Sequence, residues 1–218
     1  MPARHPAPPT ACPTAAPHHP AAPPFMPSPL PLAVLCLAAT LLQACGGGDS
    51  PAALPPVPVA FTGVVADGPL QGATACYDLN DNGACDSGEP TATTDADGRY
   101  AFDVPAAAAG QHAVLAQVPA TAIDKDTGQA VGAAFVLQSP PSGASGAQAV
   151  FVSPLSTVVA HQAAEAGIPV AEAAARVQAQ LGLATSPLAD FTAAGAAPEL
   201  ALAARAVCRV MLDTGKLA

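Results

Sequence analysis

Short stretches of β-branched and aromatic residues, separated by glycine-containing turns, occupy the middle of this chain and limit its possible folds more than any other feature. Such spacing is typical of an all-β domain, because each turn reverses the chain after only a few extended residues. Six strands are predicted, at 59–65, 73–77, 91–94, 99–104, 113–118 and 133–137, with turns at 67–69, 95–98 and 124–128. The pattern therefore predicts a mainly β fold with a small antiparallel β-sandwich over 59–137.

The period of the apolar residues becomes helical over 150–218. Ser153 followed by Pro154 is typical of a helix amino terminus, and Gly167 predicts where this first helix ends. Two further helices are predicted, at 169–181 and 199–212. The β-sandwich is therefore expected to be followed by a linker at 138–149 and a short α-helical carboxyl-terminal segment.

The composition allows only a modest core. The 218-residue chain has 26 Pro, two Tyr, six Phe and no Trp, and much of its 51% hydrophobic content is Ala, which buries little area. One domain of roughly 90 residues with a helical segment is therefore expected, and not two large domains. The Pro- and Ala-rich amino-terminal part is predicted to be disordered. A net charge of −9, with seven Lys and Arg, argues against a nucleic-acid partner.

An apolar segment at 32–42 leads directly into the sequence LQAC, which ends at Cys45. The segment is shorter than the roughly 20 residues of a transmembrane helix and suits the apolar region of a signal peptide. An aliphatic residue, two further residues of which the second is small, and then Cys resemble the lipobox of bacterial lipoproteins. The resemblance implies a signal peptide at 1–44, lipid such as palmitate on Cys45, and a flexible Gly- and Pro-rich tether at 45–58. Gly46, rather than Asp, implies the outer membrane as the destination.

Two alternatives stay open at the amino terminus. A plain signal peptide cut nearby would leave Cys45 as an incidental thiol. The region before the apolar segment contains Arg4 but no Lys, whereas signal peptides begin with positive charge, so Met26 is an alternative start.

With lipid attached to Cys45, the membrane is the expected partner. The three acyl chains of a mature lipoprotein exceed the two membrane-binding signals that stable anchoring needs.

One loop carries a specific metal-binding pattern. Residues 78–89 (DLNDNGACDSGE) match D-x-[DN]-x-[DN]-G-x5-E, in which oxygens at alternate positions surround calcium and the central Gly permits a sharp turn. The seventh position contributes a backbone carbonyl, and the final Glu contributes two oxygens. The predicted ligands are Asp78, Asn80, Asn82, the Ala84 carbonyl, Asp86 and Glu89. The alternative is a metal-free turn in which Asn and Asp side chains cap the backbone.

The flanks of this loop are wrong for an EF-hand, which needs a helix on each side. Strand-like residues precede the loop and Pro90 follows it. The stretch from Gly63 to about Val104 resembles the serine-aspartate-repeat B-type and transthyretin-like (carboxypeptidase regulatory-like) β-sandwich modules of bacterial surface proteins. The resemblance implies calcium ligands at Asp78, Asn80, Asn82, Asp86 and Glu89, and it implies no particular partner. Extracellular calcium modules bind at roughly 0.1–1 mM, so a structural role for the ion is expected.

Three cysteines remain in the mature chain beyond Cys45. Cys76 and Cys85 bracket the first half of the loop, and in an oxidising compartment they are expected to form a disulfide that holds the ligands before calcium binds. Zinc is the alternative, although no His or second Cys pair lies nearby in the sequence. Cys208 lies in an Ala-, Val- and Leu-rich segment and is expected to be a buried free thiol.

The sequence carries no established catalytic motif. Ser156 and His161 are five residues apart and do not share a helical face well, so we expect no enzymatic activity. A structural or adhesive role at the cell envelope is the favoured interpretation. A carbohydrate-binding module is the first alternative, for which Tyr77 and Tyr100 are the candidate stacking residues. The second alternative is a truncated form of a larger envelope protein.

Overall fold

The computed structural model describes residues 57–215. Cys45, the predicted signal peptide and most of the predicted tether lie outside the described residues. The described part contains ten strands and three helices. These are β1 (Val59–Val65), β2 (Leu70–Gln71), β3 (Thr74–Tyr77), β4 (Thr91–Thr93), β5 (Arg99–Val104), β6 (Val114–Val118), β7 (Ile123–Asp124), β8 (Gln129–Ala130), β9 (Phe135–Ser139), β10 (Gln148–Val152), α1 (Pro154–Ala166), α2 (Val170–Leu181) and α3 (Pro198–Asp213). The predicted mainly β fold with carboxyl-terminal helices is confirmed.

The strands form three sheets, with the orders β10-β1-β5, β2-β7-β8 and β4-β3-β6-β9. Every pair is antiparallel except β1 with β10, where Gly63 lies opposite Val150 in a parallel ladder. The predicted antiparallel pairing therefore holds among β1 to β9, and the one parallel pair involves β10, a strand outside the predicted sandwich. β10 reaches the free edge of β1 from β9 through a long connection rather than a tight hairpin, and this permits the parallel direction.

The predicted linker at 138–149 was wrong at both of its ends. Ser139 is the last residue of β9, and Gln148 is the first residue of β10. The Pro-, Gly- and Ser-rich connection is therefore shorter than predicted, and the segment predicted to be helical begins with a strand. A short apolar run such as β10 fits a strand and a helix start equally well, and periodicity alone does not distinguish them.

The two larger sheets contribute to one apolar core. Phe61 of β1 packs edge-on against Tyr77 of β3, with ring centroids 5.1 Å apart. Cys208 and Met211 of α3 belong to the same core, so the last helix packs onto the sheets. The other buried members include Val65, Leu70, Tyr100, Val104, Val114, Ala116, Val118, Phe135, Leu137 and Val152.

Local signals account for both ends of the first helix. Ser153 caps α1, and its side chain and that of Ser156 form a reciprocal capping box. Gly167 ends α1 in the left-handed conformation, with φ 61°, as its position in the sequence predicts. α2 buries Ala173 and Val177 in a small separate cluster with α1. No helix within 57–215 has the length and apolarity needed to cross a membrane.

Candidate functional site

The Asp- and Asn-rich loop at 78–89 connects β3 to β4, two neighbouring strands of the four-stranded sheet. Both ends of the loop are held by the sheet. The Tyr77 backbone N–H donates to the Pro90 carbonyl at 3.0 Å, and the Asp78 N–H donates to the Ala113 carbonyl at 3.1 Å. The loop therefore starts and ends at fixed points, while its own residues project from the sheet.

A disulfide joins Cys76 of β3 to Cys85 of the loop, so the predicted pairing is confirmed. The two Cα atoms are 5.6 Å apart, across a sequence separation of nine residues. Cys76 is fully buried in the sheet, and Cys85 is half-buried. The bond fastens the middle of the loop to the strand from which the loop begins.

Asp78 is the buried carboxylate of the loop, with only 3% of its surface exposed. Its Oδ1 accepts a hydrogen bond from the Asn82 N–H at 3.1 Å, and its Oδ2 accepts one from the Gly83 N–H at 2.9 Å. Gly83 has a φ of 78°, which a residue with a Cβ seldom adopts. The sharp turn predicted for the sixth position is therefore present, and it wraps the backbone around the Asp78 carboxylate.

Asn80, Asn82 and Asp86 converge on the exposed side of the loop. The Nδ2 groups of the two asparagines donate to Oδ2 of Asp86 at 2.9 Å and 2.6 Å. These two hydrogen bonds lower the pKa of the Asp86 carboxyl. The Oδ1 atoms of the asparagines accept from the backbone N–H groups of Asn82 and Ala84, at 3.1 Å and 2.9 Å. Three of the predicted ligands thus meet at one place.

Glu89 closes the loop at its last position. Its Oε1 accepts from the Leu79 N–H at 2.8 Å, and its Oε2 accepts from the Asp86 N–H at 3.0 Å. The carboxylate therefore joins the second position of the loop to the ninth. Together with Asp78, Asn80 and Asn82, it supplies the side-chain caps that the metal-free alternative requires.

The donor set has the chemistry that calcium prefers. Every predicted ligand offers oxygen, and each carboxylate or carboxamide oxygen that accepts one hydrogen bond keeps a second lone pair. The present side-chain positions are nevertheless those of a hydrogen-bonded loop. Across 57–215, no three His, Cys, Asp or Glu side chains are gathered closely enough to hold a metal ion. Asp78 and Glu89 face backbone N–H groups, so coordination would require them to turn toward the point where Asp86 meets the asparagines.

A contact between His112 and Asp81, which the sequence did not predict, supports the tip of the loop. Nδ1 of His112 lies 2.9 Å from Oδ1 of Asp81, and Asp81 has a φ of 56°. The Tyr77 hydroxyl donates to the Ala108 carbonyl at 2.6 Å and accepts from the His112 N–H at 3.2 Å. No sequence signal joins Asp81 to His112, because the two are 31 residues apart and meet only through the sheet.

The remaining candidate side chains are not brought together. Ser156 is fully buried, and its hydroxyl lies 2.7 Å from the Gln138 carbonyl and 2.9 Å from the Ser153 carbonyl, to either of which it can donate, whereas His161 is exposed. Tyr77 and Tyr100 are 0% and 4% exposed, so neither offers the flat exposed face that sugar stacking needs. The carbohydrate alternative therefore loses the two aromatic residues on which it depended.

A carboxyl group that the sequence did not single out is partly buried beside α3. The Oδ1 of Asp67 is buried with no hydrogen-bond partner in the described part of the chain. Burial raises the pKa of this carboxyl, and the charges of Asp124 and Asp126 raise it further, while Cys208 and Arg205 lower it. Cys208 is a buried free thiol, as predicted, and burial followed by the nearby Asp67 raises its pKa.

Comparison with known proteins identifies no matching family model, no similar curated protein and no similar solved structure. The resemblances to lipoproteins and to bacterial surface β-sandwich modules therefore stay predictions from the residues themselves. The case for any function rests on the loop, the disulfide and the segment that ends at Cys45.

Proposed function

We propose that this protein is a lipoprotein of the cell envelope, attached to the outer membrane through lipid on Cys45. Its exported part is a β-sandwich module stabilised by calcium, with a structural or adhesive role and no catalysis. The LQAC sequence and the preceding apolar segment support the anchor. The common core of the two larger sheets supports the β-sandwich.

The convergence of Asn80, Asn82 and Asp86 is the observation that best supports calcium. Two carboxamides and one carboxylate, from alternate or nearby positions of the pattern, already meet within 2.9 Å on the exposed side of the loop. If each asparagine carboxamide rotated about its Cβ–Cγ bond, its Oδ1 would take the place that its Nδ2 now has beside Asp86. A cation placed there would replace the two N–H donors that Asp86 now uses.

The charge of the loop favours the same conclusion. The twelve residues 78–89 contain four acidic and no basic side chains: Asp78, Asp81, Asp86 and Glu89. Like charges held this close repel one another, and a divalent cation removes much of that repulsion. Extracellular calcium modules bind at roughly 0.1–1 mM, so the ion would be a permanent structural component rather than a signal.

The test is thermal and urea unfolding of the protein in calcium and in chelator. With a Kd of roughly 0.1–1 mM, about 10 mM calcium is expected to add ~1.4–2.7 kcal/mol to the free energy of unfolding. Magnesium at the same concentration is the control and is expected to add less, because it dehydrates reluctantly and demands stricter geometry. Identical unfolding curves in calcium and chelator would leave the loop as a metal-free turn.

The anchor has a separate test. Intact-mass spectrometry of protein purified from membranes reports the true amino terminus and the mass of any lipid on Cys45 in one measurement. A mature chain that begins at Cys45 with three acyl chains is the expected result. A chain that begins at another residue, with an unmodified Cys45 or none, would contradict the anchor without affecting the calcium proposal.

A further inference from the structure

The Cys76–Cys85 disulfide is the covalent connection between the sheet and the middle of the acidic loop. Cys76 lies within β3, where it pairs across the sheet with Thr91 of β4 and Leu115 of β6. Cys85 is the eighth residue of the loop and immediately precedes Asp86. One end of the bond is therefore rigid and buried, and the other end belongs to the predicted ligand set.

The ring that the disulfide closes contains most of the predicted ligands. They are Asp78, Asn80, Asn82 and Ala84, and Asp86 follows directly. Backbone hydrogen bonds add little to this ring. Those that join two residues of the loop are long, with Asp81 N–H to the Asp78 carbonyl at 3.4 Å and Glu89 N–H to the Asp86 carbonyl at 3.3 Å. The loop is thus ordered chiefly by the disulfide and by the same oxygens that would bind calcium.

We propose that the Cys76–Cys85 disulfide sets the calcium affinity of the loop, and that bound calcium in turn protects the disulfide from reduction. This inference rests on the proposed calcium site. When the bond is intact, the ligands bind from a loop that is already confined. When the bond is reduced, calcium must also order the loop, so part of its binding free energy is lost.

The size of the effect follows from the ring. Closing a ring of about ten residues lowers the conformational entropy of the open loop by an amount equivalent to roughly a hundredfold in an equilibrium constant. This factor is the upper limit for the effect of the disulfide on the calcium affinity. The Asp78 and Glu89 hydrogen bonds keep part of the order after reduction. We therefore expect calcium to bind about tenfold to a hundredfold more weakly to the reduced protein. Linkage requires calcium to oppose reduction by the same factor.

The chemical step is thiol–disulfide exchange with a dithiol such as dithiothreitol. The reductant attacks at Cys85, the more exposed partner, and breaks the sulfur–sulfur bond. Its second thiol then closes a cyclic disulfide. The two electrons and two protons of the dithiol pass to Cys76 and Cys85, which become thiols.

The experiment measures calcium binding calorimetrically on the full chain, with and without dithiothreitol. The Cys76→Ser/Cys85→Ser double variant is measured in parallel, and Cys208→Ser is the matched control because that thiol takes no part in the bond. A second measurement follows the oxidised fraction of wild type by mass spectrometry in dithiothreitol redox buffers, with calcium or chelator. Each tenfold of coupling is expected to move the midpoint potential by about 30 mV.

Support requires three results together. Reduction weakens calcium binding of wild type and of Cys208→Ser by tenfold or more, the double variant binds weakly regardless of reductant, and calcium lowers the midpoint potential. Equal calcium affinity in oxidised and reduced wild type, with an unmoved potential, would overturn the coupling and leave the calcium site intact. No calcium heat in either form would overturn both. Wild type alone supplies these comparisons if the double variant does not fold.

Discussion

Asp78→Ala and Asp86→Ala separate the two roles that an acidic side chain can have in this loop. Asp78 is buried and accepts hydrogen bonds from the N–H groups of Asn82 and Gly83. Asp86 is exposed and accepts from carboxamides that can turn to water. Both are predicted calcium ligands, but only Asp78 also supports the fold when no metal is bound.

The cost of Asp78→Ala can be estimated from its partners. The Asn82 N–H keeps Oδ1 of Asn80 as a second acceptor, whereas the Gly83 N–H loses the acceptor that Asp78 provides. A hydrogen bond to a charged group contributes about 1.5–3 kcal/mol, and a weakened second one adds less. We therefore expect a loss of about 2–4 kcal/mol of unfolding free energy in chelator, together with loss of the calcium increment. Asp86→Ala is expected to lose the calcium increment and little else.

The assay is urea unfolding followed by circular dichroism, in chelator and in about 10 mM calcium at constant ionic strength. For a domain of this size, each 1 kcal/mol also moves Tm by roughly 2–4 °C. If Asp78→Ala had the same free energy of unfolding in chelator as wild type, the hydrogen-bond reasoning would be refuted. A full calcium increment in Asp86→Ala would remove Asp86 from the ligand set.

Two further predictions concern the support of the fold. A Cβ on Gly63 would overlap the Val150 carbonyl and the Tyr100 hydroxyl that donates to it. Gly63→Ala is therefore expected to lower the free energy of unfolding in urea by about 2–5 kcal/mol. Gly146→Ala is the control, because a Cβ there meets open space, and equal unfolding midpoints for the two variants would contradict the packing argument. Because burial raises the pKa of Asp67, its stabilising contribution is complete below the ordinary carboxyl pKa and is lost as pH rises through the raised value. Asp67→Asn is therefore expected to gain stability relative to wild type as pH rises above the ordinary carboxyl pKa of about 3.9, and a difference that does not change with pH would contradict the assignment.

The predictions that succeeded depend on neighbours in the sequence. The Ser153 cap, the Gly167 helix end and the sharp turn at Gly83 are each set by one side chain and the few backbone groups beside it. Such signals are readable because a capping hydroxyl or a residue without a Cβ acts within about four positions of itself. The Cys76–Cys85 bond spans nine residues, but it is still local because both cysteines flank the first half of one loop.

The predictions that failed or were missed depend on residues far apart. β10 was assigned to the helical segment because a five-residue apolar run has no period of its own, and its parallel place beside β1 follows only from the path of the chain after β9. The two-residue strands β2, β7 and β8 are too short to show alternation. The contact of His112 with Asp81 likewise has no signal in the sequence.

By itself, the sequence determined the class of fold, the helix boundaries and a loop with the oxygen donors and the glycine that calcium binding requires. These features are local, because hydrogen bonds and φ restrictions act over a few residues. Only the tertiary structure decided that Asp78 is buried and Asp86 exposed, that both tyrosines belong to the core, and that Oδ1 of Asp67 is buried without a hydrogen-bond partner among residues 57–215. Burial and its cost arise when distant segments exclude water together, and no short stretch of sequence specifies which segments meet.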